Sequence, residues 1–412
     1  MLPRISTLLL TLLLPLSTLA KTYDLLYRVG IDQDTGLAEV QIELQGDELP
    51  RELALNLESG RYREVRSEQP LELTDDRAIW RPDGPKATLS YQFEIDKKKG
   101  RRSYDSRITE DWAILRSDKL VPSIAATAVA GLRSRARLQL DLPEGWSSAL
   151  PYDKDDDGRY KLIDPGRRFI RPKGWMIIGR IGSRQDIIAG VDTMVAAPLG
   201  EDIHRQDTLA FLSWNLPELK KVFPKFPSHL LVVSAGDPMW RGGLSGTRSL
   251  YMHADRPLIS GNRTSSVIHE LVHVATGIRG DGQSDWIVEG LAEYYSLEIL
   301  RRSGGISQRR YDEAMEKLAH WGEEAPSLLA KRSSGPITAR AVGVMRELDR
   351  KIRAASDNKA SLDDVAQGLA EQRGEVSLEQ FTKLAEQAAG AKIEALAPEK
   401  LGKAQKAGKK KP

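Results

Sequence analysis

From Lys21 to about Gly190 the sequence is written in a period of two. Runs such as LAEVQIELQG (37–46), LALNLESG (53–60), ATLSYQFEI (87–95), ARLQLDLPEGW (136–146) and GWMIIGRIG (174–182) alternate or cluster apolar residues between Gly, Pro and Asp. Successive side chains of a strand point to opposite faces, so this period suits a sheet with one buried face and is useless to a helix. Many short strands at regular spacing predict an antiparallel β-sandwich over residues 21–190.

The period changes after about residue 195. DTLAFLSWNLPELKKVF (207–223) mixes a strand-like start with a helix, HLLVVSAG (229–236) reads as a buried strand, and GTRSLYMHA (246–254) alternates again. From Ser265 to about Leu396 helical spacing dominates, as in ARAVGVMRELDRKIRAA (339–355) and SLDDVAQGLAEQ (361–372). The expectation is a multidomain α+β chain. A β-sandwich (21–190) precedes a mixed domain (195–330), a helical region (331–396) and a basic, disordered tail (397–412).

Residues 1–20 stand apart. Arg4 precedes a leucine-rich run, and Thr18, Leu19 and Ala20 offer small residues for cleavage, which is the pattern of a secretory signal peptide. The chain has no cysteine, which rules out disulfides, thiolate ligands, a cysteine nucleophile and a lipid-anchoring cysteine. Export without disulfides predicts a bacterial periplasmic or extracellular protein with no stable membrane insertion after signal cleavage. The balance of 61 basic against 58 acidic residues gives no reason to expect nucleic acid as a partner.

The chemistry concentrates in HELVHVATGIRGDGQSDWIVEGLAEYY, residues 269–295. Thr264 or Ser265 caps a predicted helix carrying Val267, Ile268, Leu271, Val272 and Ala275, and Gly277 ends it. Residues four apart share one helix face, so His269 and His273 aim both imidazoles at a single ion. Glu270 lies about 100° around the helix, within reach of that ion's water but outside a ligand position. A catalytic zinc needs one more protein ligand. Glu289, on a second helix capped by Ser284 or Asp285, is the candidate, with a short glycine-rich loop returning the chain. Glu293 shares its face and is the candidate to orient His269 through the imidazole's other N–H.

HELVH followed by WIVEGLAEYY resembles the gluzincin metallopeptidases, in particular the glycyl aminopeptidase family of the peptidase MA clan, with aminopeptidase N a more distant likeness. Gly242-Gly243-Leu244-Ser245 is similar to that family's GGLE segment in the cleft, and ELDRKIR with SLDDVAQGLAE is similar to its downstream helices. The resemblance implies a thermolysin-like zinc peptidase domain following the β domain. It also implies one Zn²⁺ per chain on His269, His273 and Glu289, Glu270 as general base, peptide or protein substrates, and a cleft touching Gly243 and Ser245. Two positions depart from the family. Ser245 stands where a glutamate holds a substrate amine, and Thr338 stands where a tyrosine stabilises the oxyanion. Arg340, Tyr311, His320 and His253 are candidate replacements for that tyrosine. The alternative function is a weakly active or inactive homologue that keeps zinc and binds peptides as a periplasmic assembly factor.

Asp153, Asp155 and Asp157, with Gly158 and Asp164, copy the spacing of a calcium loop. Their flanks read as strands and turns, so an acidic hairpin is expected and Ca²⁺ there is the alternative. The tract RRSYDSR (101–107) reads as a solvated loop, and Tyr294 and Tyr295 read as core residues.

Overall fold

The computed structural model describes residues 21–164 and 166–402; residues 1–20, where a signal peptide was expected, and the last ten residues of the basic tail lie outside the described residues. The first strand, Thr22–Asp32, buries every second side chain, including Leu25, Tyr27 and Val29. It forms an antiparallel hairpin with Leu37–Gln45, which pairs in turn with Lys86–Glu94. Its other edge pairs in parallel with Arg133–Asp141, a departure from the all-antiparallel expectation. Parallel neighbours need a long crossover, and here the intervening chain builds the domain's four-stranded sheet and three strands of its five-stranded one. Tyr27, Ile42, Trp80, Leu89, Phe93 and Leu115 fill the core between them.

The strand Ile181–Ile188, expected within the sandwich, pairs instead with Val191–Pro198 and opens a separate five-stranded sheet. Helix Arg205–Val222 crosses over to the parallel strand His229–Ala235, which pairs with Ser249–His253. The short strand Gly243–Gly246 closes the sheet as an antiparallel edge. Helices Ser266–Thr276, Asp285–Arg302, Pro336–Ala355, Leu362–Gln372 and Leu378–Ala389 share one core with this sheet. The region after residue 331 is thus continuous with the helices before it. Among the described residues, no helix is long and apolar enough to cross a membrane.

A third, smaller core joins the two halves. Trp112, Ile114, Trp175 and Ile177 of the β domain pack against Leu231, Val233, Met239 and Tyr251. Trp175 is fully buried, and its Nε1–H donates to the Leu244 carbonyl at 2.8 Å. Its backbone N–H donates to Ser249 Oγ at 2.7 Å. The β domain thereby fixes the edge strand that borders the cleft. The tract 101–107 shares this role, because Tyr104 exchanges backbone hydrogen bonds with Pro238 and Trp240. It is a docked strand where a solvated loop was expected, because its alternating half joins the sheet as Tyr104–Ile108.

Candidate active site

Ser265 caps the first motif helix by accepting the Ile268 N–H at 3.3 Å, and Gly277 ends it in the left-handed conformation at φ 60°. The apolar face of this helix, including Ile268, Leu271 and Val272, is buried. That leaves His269, Glu270 and His273 at the cleft, only partly covered. The second helix has Ser284 at its N-cap position, and the Asp285 carboxylate accepts the Ser333 N–H at 2.6 Å. Gly290 explains itself by close approach: a Cβ there would lie 2.8 Å from Ala341 Cβ. The helix it meets is Pro336–Ala355.

His269 Nε2 and His273 Nε2 lie 3.1 Å apart, and the Glu289 carboxylate lies 3.3 Å from the first and 3.6 Å from the second. Ligands about 2.0–2.1 Å from a tetrahedral zinc stand roughly 3.3–3.4 Å from one another. The three separations lie close to those edges, with Glu289 facing the two imidazoles through different oxygens, and two imidazoles with one carboxylate form a donor set typical of catalytic zinc. Glu293 Oε2 accepts from His269 Nδ1 at 3.0 Å, which turns the Nε2 lone pair toward the shared point. Burial alone would push the His269 pKa down, but its bonds to Glu289 and Glu293 outweigh this and raise it to about 10. Burial, helped by His269, pushes His273 down to about 4. The protein therefore gathers negative charge where a cation belongs.

Glu270 points into the cleft beside the edge strand. Burial raises its pKa above the ordinary carboxylate value, and the charge of His269 pulls the other way. Ser245 stands beside this carboxylate, and its backbone and side chain both pull the Glu270 pKa down against the effect of burial. A Cβ on Gly243 would lie 2.7 Å from Glu270 Cγ, so only glycine leaves room for the carboxylate there.

The cleft encloses about 1180 Å³ and runs between the edge strand, the first motif helix and the β domain. The β domain lines it with Arg116, Tyr152, Arg171 and Lys173. Lys99 lies 4.9 Å over the Trp240 ring; burial lowers its pKa, and the charges of Asp105 and Glu270 partly offset that. The sequence carries no signal for these residues, because only the seam between domains brings them to the site.

Other candidates stand elsewhere. Arg340 donates to the carbonyls of Ala325 and Lys400 and lines a groove beside Gly322, outside the cleft. Thr338 pairs with Ser333 at 2.9 Å. His320 is exposed, Tyr311 packs under Arg301, and His253 is buried beside Asp237. Tyr294 and Tyr295 are core residues, the latter donating to Asp363 at 2.9 Å. Asp153, Asp155 and Asp157 do not converge, because Asp155 accepts N–H groups from Asp157 and Arg159 and the Arg137 guanidinium. Asp153 instead faces His229 across the seam at 3.1 Å.

No sequence-family model matches the chain, and no curated protein does. Solved structures do. An aminopeptidase N family protein from Idiomarina loihiensis superposes with a TM-score of 0.65 at 15% identity, over 84% of this chain and 70% of that one. Aminopeptidase A of Legionella pneumophila, in complex with aspartic acid, gives 0.56 at 12% identity over 93% of this chain. Native leukotriene A4 hydrolase of Saccharomyces cerevisiae gives 0.53 at 13% identity over 89% of this chain. The chain spans 49% and 64% of those two proteins' lengths. In fold, this chain is similar to these three proteins, the first of them an aminopeptidase N family protein.

Proposed function

We propose that the protein is an exported zinc-dependent peptidase in which His269, His273 and Glu289 hold the metal and Glu270 is the general base. The observation that carries this reading is the joint placement of the three donors at tetrahedral spacing, with Glu270 beside them in a peptide-sized cleft. A bound zinc ion supplies Lewis-acid chemistry at the scissile carbonyl and lowers the pKa of water toward about 7. Glu270 takes the proton of the attacking water on its carboxylate and returns it to the leaving amine. Its raised pKa suits this exchange, and Ser245 stands beside the carboxylate. The edge strand Gly243–Gly246 borders the cleft, and an extended peptide runs alongside it.

Internal bonds are the favoured target. A terminal amine needs an anion near the metal, and Ser245 is neutral. Glu289 and Glu293 are spent on His269, and Asp285 accepts the Ser333 N–H. Export is supported by the signal-like residues 1–20 and the absence of cysteine. N-terminal sequencing of the protein from the producing cell would reveal cleavage after about Ala20 if this is right.

The test is a peptide-library digest with and without chelator, run beside Glu270→Gln. The expected result is chelator-sensitive internal cleavage, abolished in the variant while zinc content stays at one per chain. Cleavage that persists in Glu270→Gln refutes the assigned base. One observation favours a second reading, a zinc-retaining peptide binder: Thr338, which stands where the resembled family has a tyrosine, is hydrogen-bonded to Ser333. No cleavage of any peptide, with peptide binding retained, would select it.

A further inference from the structure

The cleft is charged asymmetrically. At its metal end the lining carboxylates are Glu270 and Glu289 of the site itself, with Asp285 beside them. Away from the metal the lining is basic. Lys173 is neutralised by Asp164 at 2.7 Å, and Arg116 by Asp118 at 3.0 Å. Four further guanidinium groups are not neutralised in this way. Arg171 donates to the carbonyls of Asp118 and Val121, and Arg248 donates to the carbonyl of Ile163 while lying 5.5 Å over the Tyr152 ring. Neutral acceptors position these cations and leave their charge intact. Arg167 and Arg373 line the same cleft, are exposed, and have no carboxylate partner among the described residues.

We propose that this cleft selects acidic peptides, with the Arg167, Arg171, Arg248 and Arg373 cluster receiving carboxylate side chains several residues from the bond at Glu270. The inference rests on the peptide-binding reading of the site. The edge strand leads from Gly243, against Glu270, to the turn carrying Arg248. At roughly 3.3 Å per residue, a peptide beside it reaches Arg248 about five residues from the reacting carbonyl, and Arg373 lies against Gly277 at the end of the first motif helix. Guanidinium forks match carboxylates in two-point contact, and a cleft lined by one sign of charge raises the local concentration of opposite charge. The same field disfavours lysine-rich segments and a free amino terminus.

Binding and cleavage are measured separately. Fluorescence anisotropy on the zinc-loaded Glu270→Gln protein compares three labelled peptides of one length, one neutral, one with three glutamates and one with three lysines. The glutamate peptide should bind at least about tenfold more tightly than the neutral one at low ionic strength, and high salt should erase most of the difference. Arg167→Glu with Arg373→Glu should abolish the preference for the glutamate peptide over the neutral one. Arg167→Gln with Arg373→Gln, checked for fold by circular dichroism, should reduce it if the reversal proves unstable. Equal binding of glutamate and neutral peptides, or a preference that survives both pairs of substitutions, overturns the proposal. Hydrolysis of neutral peptides by the unaltered enzyme is followed in parallel. Cleavage without acidic preference sinks only this inference, whereas acidic preference without cleavage sinks only the peptidase reading.

Discussion

Glu293 lies outside the ring of metal donors, yet its carboxylate determines which nitrogen of His269 faces them. Replacing it with glutamine keeps the shape and removes the charge. Glu293→Gln should weaken zinc binding by about 10–100-fold, read by chelator competition, with the fold retained. Gly243→Ala tests the other side of the site. Its methyl group would meet Glu270 Cγ at 2.7 Å, so the base must shift. Displacement of that order should lower kcat by roughly 10²-fold while zinc content is unchanged. At this scale much of the site was legible, because an i, i+4 histidine pair is a property of one helix. Glu289 and Glu293 were legible once a second capped helix was recognised. Ser245 as a partner of Glu270 was not, since strand register decides it. Lys99, Arg116, Tyr152 and Arg171 were illegible because their nearness to the site is purely tertiary.

The second motif helix shows how an element is held so that its first turns can serve the metal. Its far end carries Glu298, 6% exposed in its side chain, which accepts from Arg301 at 2.6 Å and Arg302 at 2.7 Å. Arg302 reaches on to Asp363 of helix Leu362–Gln372 at 2.6 Å, and Tyr295 donates to the same carboxylate. Burial would raise the Glu298 pKa, but the two arginines outweigh it and hold the carboxyl below its ordinary range. Its folded value lies below its unfolded one, so its contribution is complete above the unfolded glutamate value of about 4.3 and is lost as pH falls through the lower folded value. Glu298→Gln leaves the largely buried Arg302 short of charge and should cost about 3 kcal/mol in chemical denaturation at neutral pH, with a smaller difference in acid. Helix starts and stops here followed local chemistry, as at Ser265, Gly277, Ser361 and Ser377. The partner of strand Ile181–Ile188 did not, because a period of two specifies a strand without naming its neighbour.

At the scale of the molecule, the two large cores are joined through a seam whose centre is Trp175. Metal and seam act on the same cleft from opposite sides, so each should be visible in stability as well as in activity. Zinc that binds only the folded chain adds about 4 kcal/mol at a thousandfold excess over its dissociation constant, so chelation should lower Tm reversibly, with the shift restored by added zinc. Trp175→Phe removes the donor to the part-buried Leu244 carbonyl, a loss of about 1 kcal/mol. Its kcat should fall with zinc content intact, because the border of the cleft loosens while the donors stay fixed. The β domain was legible as strands. Its duty as a wall of the cleft was not, since no residue pattern records which surface of one domain meets another.

The bond from Trp175 to Leu244 also gives the protein a built-in optical probe. An indole whose N–H grips the rim strand changes its emission when a ligand tugs that strand, so the fluorescence difference between the native protein and Trp175→Phe should follow cleft occupancy in real time, without any label.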